Sequence, residues 1–189
     1  MTPSYQSVID QYYPEGSPLR DIFLRHSRSV AAFALEIAVK CRLPLDPAIV
    51  EEAAMLHDIG IFLTDAPGIH CHGTAPYIAH GFLGADLLRR HGISEKVARV
   101  AERHTGSGLT PDDIAAQNLP LPADRSYMPA TLLERLICYA DKFYSKSGDM
   151  KRKSLDKVKA SQARISEATL QRFERLHDEF GRESDIPKD

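Results

Sequence analysis

Four histidines and two aspartates occupy positions where a helical core would place leucine. His26 falls on the apolar stripe of Leu19, Ile22, Phe23, Val30, Phe33 and Ile37, four residues before Val30. His57 continues the stripe of Val50, Ala53 and Ala54, and Asp58 stands beside it in "MLHDIG". His80 lies over Tyr77 and Gly84, His104 follows Val97, Val100 and Ala101, and Asp141 follows Leu133, Ile137 and Ala140. A polar or charged group on an apolar face is costly to desolvate unless it is paired. One such histidine is more often a hydrogen-bonded core residue than a ligand. Six together are better explained by a shared cation, because imidazole and carboxylate are ligands that Fe, Mn, Zn and Co accept, and a carboxylate beside a histidine can bridge two ions.

The elements that must position these groups are helical. Apolar residues recur at helical spacing nearly everywhere and alternate at strand spacing almost nowhere, which predicts an all-α fold. Ser17 and Pro18 open a helix running to about Cys41, and Asp46 with Pro47 opens a second one that Gly60 should stop. The Gly/Pro-rich loop "TDAPGIHCHGT" follows. A helix from Thr74 and Pro76 to about Arg90 comes next, then one capped by Ser94 and ending near His104. Residues 105–131 read as a long loop with a short helix after Pro111, of the kind that often forms a lid. A helix over 131–146 and an amphipathic one over "SEATLQRFERLHDEF" close the fold, and "GRESDIPKD" reads as frayed.

A chain of 189 residues with 43% hydrophobic and 26% charged residues suits one globular domain and offers no run long enough for a membrane span. Cys41, Cys71 and Cys138 are odd in number and widely spaced, as reduced thiols are. The opening residues lack a basic start and an apolar core, so no secretion leader is read there and the cytoplasm is the expected compartment. A net charge of −2 gives no global attraction to polyanions, and no base-reading motif appears, so nucleic acid is not an expected partner.

The order H...HD...H...H...D, with every member on a predicted helix, resembles the HD superfamily of metal-dependent phosphohydrolases. The family's named residues would be His26, the pair His57 and Asp58, and Asp141 in "ICYADKF". "HDIG" is similar to a subfamily signature, and "HGFLGADLLRRHGISEKVARVAERHTG" resembles small HDIG proteins of undefined activity. The resemblance covers residues 18–146 as a catalytic domain; residues 150–189 carry no motif of the family and are expected to be a helical extension packed on it. It implies a compact helical bundle with the metal site between helices. His26, His57, Asp58 and Asp141 would hold a first ion. His80 and His104 match the branch that holds two, with Asp58 as bridge. Fe or Mn is expected first, with Co, Zn, Ni and Mg as alternatives.

The resemblance further implies a phosphohydrolase that cleaves a phosphoester or phosphoanhydride of a small molecule, a nucleotide above all, by metal-activated water, with His57 and Asp58 at the catalytic centre. Lys142 and Lys146, one turn apart, are the expected phosphate contacts, and Lys151 onward reads as a solvated helix end. His70 and His72 flank Cys71 in the loop after the motif, where they could meet substrate. His91 and His177 read as surface residues, and Glu102 and Glu134 match no motif position. Two other readings stay open: a mixed-valent di-iron oxygenase with the same ligand order, and a non-catalytic metal-held signalling module. The sequence leaves the oligomeric state open.

Overall fold

Capping side chains set most of the helix starts. In the computed structural model, which describes residues 4–181, Ser4 caps α1 (Tyr5–Tyr12), Ser17 with Pro18 opens α2 (Pro18–Lys40), and Asp46 with Pro47 opens α3 (Pro47–Leu56). Each cap oxygen accepts an amide hydrogen that the first turn leaves unpaired. Then follow α4 (His80–Arg90), α5 (Glu95–Arg103), α6 (Pro111–Ala116), α7 (Leu132–Asp141), α8 (Leu155–Ile165) and α9 (Glu167–Phe180). Thr110 with Asp113, and Thr131 with Glu134, close capping boxes at α6 and α7.

The predicted apolar stripes meet in one core. Phe23, Val30, Phe33 and Ile37 of α2 are buried together with Val50 and Leu56 of α3, Val97 and Val100 of α5, and Ile137 and Tyr139 of α7. The terminal helix α9 lays Phe173 against Tyr139, with ring centroids 5.6 Å apart. Tyr139 also bonds His177 Nδ1 at 2.9 Å, and Tyr12 bonds His91 at 2.7 Å, so neither histidine is the bare surface residue expected. Among the described residues no helix is long and apolar enough to cross a membrane.

The expected boundaries shift in four places. A first helix, α1, precedes the one expected to open the fold; it leads to Tyr13, which is fully buried, stacks on Phe23 and donates to the Ile59 carbonyl at 3.0 Å. The helix expected from Thr74 begins as a 3-10 turn, Tyr77–Ala79, before α4. The helix expected to reach Lys146 stops at Asp141, and α8 follows where a solvated end was expected; its lysine-rich sequence hides the Val158 and Gln162 spacing that faces inward. The loop after HDIG holds a short hairpin, β1 (Asp65–Ala66) with β2 (Cys71–His72), too brief for alternation to show. Residues 182–189, within the stretch read as frayed, lie outside the described residues.

Gly60 works differently from the helix stop expected of it. Its φ of −87° is open to any residue. What requires glycine is the approach of α4, because a Cβ at position 60 would overlap the His80 carbonyl oxygen and the Gly84 backbone. Gly81 makes the matching allowance toward α5, where a Cβ would meet the Ala101 oxygen at 2.8 Å. Small residues thus let three backbones close on one another around the ligand-bearing turns. Gly60→Ala should destabilise the protein by about 1–3 kcal/mol or more, read as a lowered urea midpoint with unchanged slope.

Candidate metal centre

Five helices deliver the ligand set, four of them at an end. His57 and His104 cap the C-termini of α3 and α5, His80 is the first residue of α4, Asp141 is the last of α7, and His26 lies inside α2. Three of the rings are aimed by one repeated bond. The Nδ1 of His57 lies 2.6 Å from the Ala54 carbonyl, that of His80 2.6 Å from Tyr77, and that of His104 2.8 Å from Ala101. A carbonyl only accepts, so each Nδ1 carries the hydrogen, and in the neutral ring Nε2 is left as a bare lone pair. The bonds also occupy carbonyls in or beside a helix turn. His26 Nδ1 has no such partner.

Those Nε2 atoms converge on Asp58. Its Oδ2 lies 3.1 Å from both His26 and His57, and its Oδ1 lies 3.4 Å from His80 and 3.3 Å from His104. Asp141 closes the first group, with Oδ1 3.0 Å from His26 and 3.4 Å from His57. Two sets result, His26, His57, Asp58 and Asp141 in one and Asp58, His80 and His104 in the other, each with ligand atoms within 4.8 Å of one another. Ligands on opposite sides of an ion at about 2.1 Å stand about 4.2 Å apart, so both sets suit a transition metal. Two further features favour a cation. His80 Nε2 and His104 Nε2 face each other at 3.0 Å, where two lone pairs repel, and both Asp58 oxygens are buried without a well-directed hydrogen bond.

The charges sort in the same sense. Burial works against the ionised form of Asp58, but the positive charge of His57 and Lys146, with the His104 and His26 rings close by, holds it well below the usual carboxylate range. Asp141 is held down likewise, against burial, by Lys142 and by bonds from His26 and His57. Burial lowers the His57 value, yet Asp58 and Asp141 outweigh it and raise the ring to about 9. Burial and the nearby His104 push His80 down to about 3, and burial lowers His104.

The expected lysines arrive at the carboxylates themselves. Lys146 Nζ lies 2.6 Å from Asp58 Oδ2 and Lys142 Nζ 2.7 Å from Asp141 Oδ2. Both line a cleft of about 460 Å³ that opens beside Asp141, with Tyr77, Tyr144 and Lys153 among its walls. Sequence reasoning placed Lys153 on a solvated end and did not single out Ser161 and Gln162; the serine cap at position 154 with Val158 on the inward face was the signal for the helix that carries the last two. His70 and His72 are exposed on the hairpin, while the cleft takes Ala66, Gly68 and Ile69 from that loop. Cys71 is buried, and burial raises its thiol to about 11, which suits packing. Glu102 pairs with Arg89 and Arg125, and Glu134 with Arg103; both are structural.

Comparison with known proteins agrees with this geometry. Residues 23–145 match the HD domain family. Two relatives are named tRNA (cytidine(56)-2′-O)-methyltransferase: one from Thermoplasma volcanium, 32% identical over 93% of this chain, and one from Picrophilus torridus, 33% identical over 89%. The chain spans about half the length of each, 46%. A ribonuclease Y of Chlorobium luteolum is 35% identical over 42% of this chain and 16% of its own length. No solved structure matches.

The two relatives named for tRNA methylation correct the expected small-molecule phosphohydrolase, together with its oxygenase and signalling alternatives, and correct the expectation that nucleic acid is not a partner. The local excess of positive charge after Asp141 is visible in the sequence, and its expected partner there is a small phosphorylated substrate instead of a nucleic acid. A net charge of −2 says nothing of one face, and residues 142–164 carry eight lysines and arginines against two aspartates. Asp58→Asn keeps the volume of the shared ligand and removes its charge; divalent metal retained after gel filtration, measured by elemental analysis, should fall to background while the helical circular dichroism persists.

Proposed function

This chain belongs to the HD-domain family, and we propose that it acts on tRNA as a metal-dependent enzyme domain working in 2′-O-ribose methylation. One observation carries the reading: the relatives named for that reaction are matched along about nine-tenths of this chain, at 93% and 89%. Since the match takes in 46% of their length, the share proposed for this chain is to engage the RNA at its metal centre. The remainder of the relatives is then the proposed seat of methyl transfer.

The proposed centre takes two divalent transition-metal ions, Fe or Mn first, on the two ligand sets that share Asp58. Such ions, when bound, supply Lewis-acid chemistry at a phosphate oxygen. The chain's own residues do the remaining work. The carbonyl bonds at Nδ1 aim three rings, Asp58 and His57 hold the centre of charge, and Lys142 and Lys146, already paired with Asp141 and Asp58, offset those carboxylates so that a phosphate meets less negative charge. The likeness to part of a ribonuclease Y favours a second reading, hydrolysis of an RNA phosphodiester at the same site.

The Mn-loaded chain should bind an unmodified tRNA transcript in filter binding, with affinity falling as salt rises. Absence of binding at low salt would overturn the RNA reading, and metal-dependent fragments on a sequencing gel would select the second one. His80→Ala or His104→Ala should lose about one of two metal equivalents. Retention of both would refute the second-ion assignment.

A further inference from the structure

The cleft beside the metal ligands carries features that the metal centre does not use. Lys142 and Lys146 are committed to Asp141 and Asp58. Lys153 is not: among the described residues it has no carboxylate within ion-pair distance, and its Nζ donates to the Lys142 carbonyl at 3.1 Å. A partly buried ammonium with one acceptor, facing two others of its own charge, lacks an anion.

Aromatic rings stand among these cations. Tyr77 stacks on His80 with centroids 4.7 Å apart and has Lys146 Nζ 5.9 Å from its ring. Tyr144, partly exposed in the cleft wall, meets Phe33 edge to face at 6.3 Å. Ammonium groups that hold a backbone and aromatic faces that hold bases are the two components of single-strand binding. The chain leaving the cleft would pass α8, where Lys157 and Arg164 are exposed, in a segment of net +6 within a protein of net −2.

We propose that this cleft receives one unpaired nucleotide of an RNA strand, its phosphate against Lys153 and its base against Tyr144, with the strand continuing past the exposed cations of α8. The proposal rests on the RNA reading above and adds where and in what form the strand enters. A cleft of about 460 Å³ admits a single flipped or unpaired nucleotide. A duplex keeps its bases stacked inside and offers the tyrosine no face.

Fluorescence anisotropy with a labelled hexacytidine RNA and a fully paired RNA competitor, both with the Mn-loaded full chain, tests this. The unpaired strand should bind about tenfold more tightly than the duplex, and Tyr144→Leu should lose about tenfold. Lys153→Gln should lower the slope of log K against log salt by about 0.7, the share of one single-strand phosphate. Lys96→Gln, on a different cavity, should change nothing. Circular dichroism and a melting curve establish that each variant folds, and the strand-against-duplex comparison needs no variant. Equal affinity for duplex, or a strand that binds with neither cleft variant altering it, overturns the cleft assignment while RNA binding stands. No binding of either RNA overturns the reading beneath it as well.

Discussion

One buried carboxylate organises this protein. Asp58 is fully inaccessible to solvent, and its two oxygens face different imidazole pairs, His26 with His57 and His80 with His104. Such an anion cannot be left uncompensated in a low-dielectric interior. Everything near it answers that demand, from the Lys146 ammonium to the convergence of α2, α3, α4, α5 and α7 on one point. The glycines at 60, 81 and 84 follow from the same constraint, because rings on different helices reach a common centre only if their backbones come close.

The cluster of buried histidines and aspartates was legible in the sequence because helical periodicity is long-ranged. Residues four apart share a face, so an imidazole on an apolar stripe marks itself as buried before any contact is known. The caps at Ser17, Asp46 and Thr131 were legible for a local reason, each being a side chain that bonds an amide two or three residues on. What stayed hidden has no local signature. The role of Gly60 depends on α4, some twenty residues later, and the aim of each histidine depends on a bond to its own backbone that spacing does not reveal.

The cleft was the least legible part, and for a reason of charge rather than shape. Between 142 and 164 the abundance of lysine resembles a solvated face, while Ser154, Val158 and Gln162 sit at the inward positions of α8 and are buried. Gln162 accepts from Ser107 at 2.8 Å, which ties α8 to the loop after α5. The helix thus gives Ser161 and Gln162 to the wall of the cleft, which Lys142, Lys146 and Lys153 of the preceding chain also line.

The hydroxyl of Tyr13 grips the Ile59 carbonyl within the very turn that presents His57 and Asp58, yet Tyr13 lies before residue 23, where the family match begins. α8 lies beyond residue 145, where it ends. The smallest stretch that can be recognised is therefore shorter than the smallest stretch that is mechanically whole. A fragment trimmed to the recognisable borders would keep every ligand and lose the clamp that stiffens two of them.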